Sequence, residues 1–155
     1  MAIQHSKTEV RRVARKGGYV VAALVNLAGL IIVENILGWG ILAFLTEDFG
    51  RVLPWIAFSL TVSIVANLIY LINDKQPLKS TCQIGLNLIS LFVTYQLFQV
   101  FPFDFSAYAF DWEALTRVVL ILAMIGSGIG VVAEVLKLAS GGRTREGKVL
   151  DAHGT

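Results

Sequence analysis

A chain of 155 residues that is 55% hydrophobic and 15% charged, with a mean hydropathy of +0.69, is too apolar for an ordinary soluble domain. Its net charge of +2 is small because opposite signs are segregated along the chain. A single cysteine (Cys82) excludes an internal disulfide or a redox Cys pair, and the only histidines, His5 and His153, sit in the tails, which excludes haem or a metal held by His between helices.

Residues 1–18 read as a basic tail, with Lys7, Arg11, Arg12, Arg15 and Lys16 against Glu9. The first apolar stretch covers about 19–45. It is too long for a signal-peptide core and lacks a clear A-x-A site, so a retained signal-anchor helix is expected. It carries Asn26 and the pair Glu34-Asn35. The second stretch, about 52–72, places Ser59, Ser63, Asn67 and Tyr70 at steps of four, four and three. The third, about 81–101, has Ser80, Gln83, Asn87, Ser90 and Thr94 at steps of three, four, three and four. The fourth, about 114–139, carries Thr116, Arg117, Ser127 and Glu134, with Gly126 and Gly130 as a G-x-x-x-G pair. The mixed-charge segment 141–155 is expected to be a flexible cytoplasmic tail.

Each stretch is long enough for a bilayer crossing, which takes roughly 20 helical residues. The expected fold is therefore an all-α, polytopic four-helix transmembrane bundle over 19–140. Charge orients it. The tails and the second loop (Lys75, Lys79) are basic, while the third loop carries Asp104, Asp111 and Glu113 with no Lys or Arg. Basic segments resist translocation, so both termini should be cytoplasmic, in the plasma (inner) membrane of a cell. All three Trp fall near the outer surface on this threading, as does the aromatic run from Phe101 to Trp112. Amphipathic rings favour the headgroup level, so an outer aromatic belt is expected, with Tyr19 and Tyr70 marking the inner interface. A contact loop formed by Asp104, Tyr108, Asp111 and Trp112 is the sharper reading of the same run.

Helical steps put the polar residues of the second and third spans on one face each, and polar groups are costly in hydrocarbon. A polar seam inside the bundle follows, drawn from Asn26, Glu34, Ser63, Asn67, Gln83, Asn87, Ser90, Thr94 and Arg117. One reading is interhelical hydrogen bonding; the other is a hydrated path for an ion or solute between spans two and three. Glu34 is the most unusual member. If its helix stops near Trp39, the carboxylate shares its depth with Arg117, and a Glu34–Arg117 pair is expected. A proton- or cation-binding carboxylate is the alternative. Gly126 and Gly130 predict a close helix contact, within the chain or between two copies.

No nucleophile elbow, H-E-x-x-H motif or phosphate loop is present, and no cofactor is implied. The basic tails should attract anionic lipid headgroups rather than nucleic acid.

The phrases AFLTEDFGRVLPWI, SIVANLIYLI, QVFPFDF and IGSGIGVV, in this order, resemble a group of small four-span membrane proteins of actinobacteria. The resemblance covers most of 19–138 and implies a bacterial plasma membrane but no activity. The group's pattern has an apolar residue where Glu34 stands and Trp-Pro where Leu37-Gly38 stand, which argues against Glu34 as a shared functional residue.

Three roles remain in view. The first is a non-enzymatic scaffold or accessory subunit of a larger membrane complex, self-associated or bound to another membrane protein. The second is a small oligomeric channel or transporter using the seam. The third is a membrane enzyme acting on a lipid or isoprenoid, with the outer acids as its site.

Overall fold

A computed structural model of the protein describes residues 2–40, 42–73 and 75–152, and their side chains except at 2–8, 11–12 and 141–152. Four α-helices follow one another: α1 over Ala2–Trp39, α2 over Phe49–Ile72, α3 over Gln76–Val100 and α4 over Trp112–Ala152. Within them Val13–Trp39, Phe49–Ile72, Gln76–Val100 and Trp112–Ser140 are long and apolar enough to cross a membrane. The chain is thus all-helical with four candidate spans. The side chains of Lys7, Arg11, Arg12, Arg143, Arg145 and Lys148, and of both histidines, lie outside the described ones.

Local chemistry sets the helix ends. Gly40 takes the left-handed conformation, φ +58°, and stops α1 at Trp39. The first candidate span is therefore shorter at its C-terminal end than the apolar run to Leu45 suggests, because Leu42–Leu45 are spent on a loop. Pro77 sits in the first turn of α3, where its missing N–H costs nothing. Phe101 caps the other end with φ 42°, donating its N–H to the Leu97 carbonyl at 2.9 Å. Pro102 follows and disfavours the right-handed helical region for Phe101, so α3 stops here. Asp111 begins α4 as an N-cap, its Oδ1 accepting the Ala114 N–H at 2.9 Å. At the far end α4 continues to Ala152, through the segment expected to be flexible. That segment has no proline, and its two adjacent glycines each cost about 1 kcal/mol relative to Ala without forbidding helix.

Among the described residues backbones approach closely only between chain neighbours: α1 with α2, α2 with α3, and α3 with α4. Among the described residues α1 and α4 do not close the ring, so the expected compact bundle is instead an open one of two hairpins. In lipid this carries no penalty, since hydrocarbon solvates apolar faces as well as another helix does. Large aliphatic side chains accordingly stand exposed along α1 (Leu24, Val25, Ile31) and α4 (Leu122, Ile129, Val132).

The hairpins are tied at both ends. At one end Thr46 N–H donates to Pro102 O at 3.1 Å and Asp104 N–H to Phe44 O at 2.8 Å, a single antiparallel bridge pairing Leu45 with Phe103. Phe44 stacks on Phe105 beside it, with ring centroids 5.4 Å apart. At the other end Tyr19 of α1 meets Tyr70 of α2, ring centroids 5.5 Å apart, under Lys79 of α3. Tyr19, Ala66 and Tyr70 form the largest buried cluster, packed against Leu71, Cys82 and Leu86.

Candidate functional site

Lys79 begins a stripe that the helical period carries along α3 to Gln83 and Asn87 in steps of four. On α4 the same period groups Gly130, Glu134 and Lys137. The two stripes face one another and, with Gln76 and Ala133, line an open crevice of about 490 Å³ at the Lys79 end of the molecule. This is the polar concavity within the candidate spans.

Its chemistry is mixed in sign. Lys79 Nζ donates to Tyr19 Oη at 2.8 Å and stands 5.0 Å from that ring's centroid. Tyr70 Oη donates to the Lys79 carbonyl at 3.4 Å. Lys137 pairs with Glu134, one turn back on α4. Ser80, 1% exposed, makes no well-formed hydrogen bond among the described residues, and Glu134 is an acceptor within its electrostatic reach. Deeper in, Gln83 and Asn87 have no hydrogen-bond partner among the described residues. Asn87 owes its place to Gly130: a β-carbon at Gly130 would lie 2.7 Å from Asn87 Nδ2. Beyond Asn87 the helices close, and Ser127 Oγ donates to Ser90 Oγ at 3.4 Å.

The polar face of α3 therefore looks toward α4, and the seam expected between spans two and three is displaced by one helix. Asn67 donates to Ser63 O at 2.7 Å and Asn26 to Ala22 O at 2.8 Å, each within its own helix. Thr94 does the same to Ser90 O at 2.8 Å. Intrahelical back-bonding gives each of these groups an acceptor without a partner helix.

The Glu34–Arg117 pair is not formed. Arg117 bonds Glu113 at 3.0 Å one turn back on α4, and its guanidinium lies 4.0 Å from the Phe101 ring centroid. Glu34 is exposed on α1, which does not approach α4. The expected shared depth along the spans does not by itself bring side chains together, and these two stand on helices that do not approach each other among the described residues. Gly126 has open space where its β-carbon would be, so only Gly130 of the glycine pair meets another helix.

The outer acids serve the loop itself. Asp104 Oδ1 accepts the Ser106 N–H at 2.9 Å, which holds its carboxyl below the usual aspartate range. Asp104, Tyr108, Asp111 and Trp112 line one shallow depression together. Tyr108 and Trp112 also border an apolar hollow of about 400 Å³ with Phe44, Phe103, Phe105 and Thr116. Among the described residues no group of three His, Cys, Asp or Glu side chains converges as a metal site.

Lys79 and Lys137 are not among the expected seam residues: Lys79 counts as a topology charge, and Lys137 only as a neighbour one turn from Glu134, with which it pairs. Their signal was present: each continues a polar stripe at helical spacing, Lys79 to Gln83 and Lys137 to Glu134.

Comparison with protein-family models, with curated proteins and with solved structures finds no match for this chain. The resemblance to the actinobacterial four-span group has no counterpart in them.

Proposed function

We propose that the protein is a multi-pass protein of the plasma membrane, both termini cytoplasmic, acting without catalysis as a scaffold or accessory subunit of a larger membrane complex. One observation carries this reading: α1 and α4 do not pack on each other, so each hairpin leaves a long helix flank for another membrane helix. Helix association in lipid is driven by packing and hydrogen bonds rather than by hydrophobicity, so an open flank with small residues such as Gly126 favours close approach. The charge pattern supports the threading, with basic residues at the Lys79 end and acids at the Phe103 end.

The test is purification in mild detergent followed by native mass measurement. The reading expects a species heavier than the 16.9 kDa chain, through partners or further copies. A lone chain at all detergent levels, with no partner cross-linked in the intact membrane through cysteines placed at Gly126 and Ile129, overturns it.

Transport has one observation in its favour, the polar crevice. Its support weakens at Asn87, where the two helices close and Ser127 meets Ser90. The enzyme reading finds its acids engaged in backbone capping at Ser106 and Ala114, which supports a structural role for them.

A further inference from the structure

Gln83 and Asn87 are amides in a candidate membrane span, and neither has a hydrogen-bond partner among the described residues. In hydrocarbon each unpaired polar group costs several kcal/mol. They are only half-buried, because they open into the crevice between α3 and α4. Something polar must therefore enter it. The mouth carries Lys79 and Lys137 against the single carboxylate of Glu134, so the lining has a net positive charge. Lys79 directs one N–H to Tyr19, which leaves the ammonium two further donors. The volume, about 490 Å³, suits a small-molecule headgroup.

We infer that the α3–α4 crevice binds the phosphate-bearing headgroup of an anionic phospholipid from the leaflet at its mouth. Lys79 and Lys137 hold the phosphodiester, and Gln83 and Asn87, nearer the bilayer core, donate to the glycerol ester carbonyls below it. Gly130 keeps the floor open by leaving Asn87 its place. Basic pockets between membrane helices recognise such headgroups by the same combination of charge and donors. The inference rests on the membrane-spanning part of the proposed function, not on any partner.

The test uses the full chain in nanodiscs of phosphatidylcholine with increasing phosphatidylglycerol, released for native mass spectrometry. Phosphatidylglycerol should be retained as one adduct in preference to phosphatidylcholine. Gln83→Leu and Asn87→Leu, which leave both lysines in place, should each weaken retention about tenfold, the loss of one hydrogen bond to the lipid. Glu134→Gln removes the carboxylate that opposes the phosphate and should strengthen retention. Equal retention of both lipids overturns the inference, as does weaker retention by Glu134→Gln. Displacement of the lipid by millimolar inorganic phosphate also overturns it, by assigning the site to a free anion. Alkaline carbonate extraction separates the two levels: release from membranes sinks the spanning reading, whereas a retained protein without lipid preference sinks this inference alone.

Discussion

Asn87 occupies space that Gly130 leaves empty: a β-carbon on Gly130 would stand 2.7 Å from Asn87 Nδ2 and 3.0 Å from its Cγ. The Asn87 side chain can shift at some cost, whereas helix propensity favours Ala over Gly by about 1 kcal/mol. Overpacking costs about 1–3 kcal/mol, so the crowding term wins. Gly130→Ala should therefore destabilise the protein by about 1 kcal/mol in a detergent melt. Adding Asn87→Ala should reverse that loss. Gly126→Ala, made in open space, should be neutral or slightly stabilising. Equal effects at both glycines would refute the close approach.

Lys79 joins three helices through Tyr19 and Tyr70, and its loss should be felt by all of them. Lys79→Met removes the ammonium that donates to the Tyr19 hydroxyl and should cost about 1–3 kcal/mol. Tyr19→Phe should cost about 1 kcal/mol. The double variant should lose less than the two together, since one bond is removed twice. Additive losses by thermal melting would mean that the two residues act separately.

Arg117 and Glu34 should behave as strangers. Arg117→Ala removes the guanidinium above Phe101, worth about 0.5–1 kcal/mol, and an exposed pair with Glu113 of a few tenths. Combined with Glu34→Gln, the changes should add within about 0.3–0.5 kcal/mol. A larger coupling in a double-variant cycle would restore the discarded pair.

Acid should loosen the outer loop first. The Ser106 N–H stabilises the Asp104 carboxylate, so the folded loop holds that group below its ordinary value. A depressed carboxyl contributes stability that is complete above its unfolded value, about 3.9, and is lost as pH falls through the folded value. Protease nicking of 104–111 should therefore rise below about pH 4. In Asp104→Ala nicking should be raised already at neutral pH and respond less to acid. A wild-type loop indifferent to acid would contradict the role given to this hydrogen bond.

The sequence carries the four helices plainly, because runs this apolar have few other solutions. The stop of α1 was legible too, in Trp39-Gly40, but the apolar residues after Gly40 obscured it. What could not be read is which polar stripe meets which helix. Asn67 and Asn87 look equivalent on a helical wheel, yet one bonds its own backbone and the other faces Gly130. That choice depends on α3 turning its polar face toward α4, a tertiary fact set by where a small residue lets backbones approach. Glu34 and Arg117 failed for the same reason, since depth says nothing about azimuth. The outer bridge between Leu45 and Phe103 left no periodic trace, being two backbone hydrogen bonds between irregular segments.

The pairing of neighbours also sets an order of assembly. Contacts of α1 with α2, and of α3 with α4, are local in the chain and need only their own hairpin. The packing of α2 on α3, the bridge at Leu45–Phe103 and the Tyr19–Lys79 bond are the links that must wait for both halves. Each half thus holds most of its own contacts, and the connection between α2 and α3 is a natural place to cut. Fragments 1–74 and 75–155, expressed together, should find each other in the membrane, with Lys79→Met slowing or weakening their reunion. The inner clasp would then act as the latch by which two separately inserted hairpins become one protein.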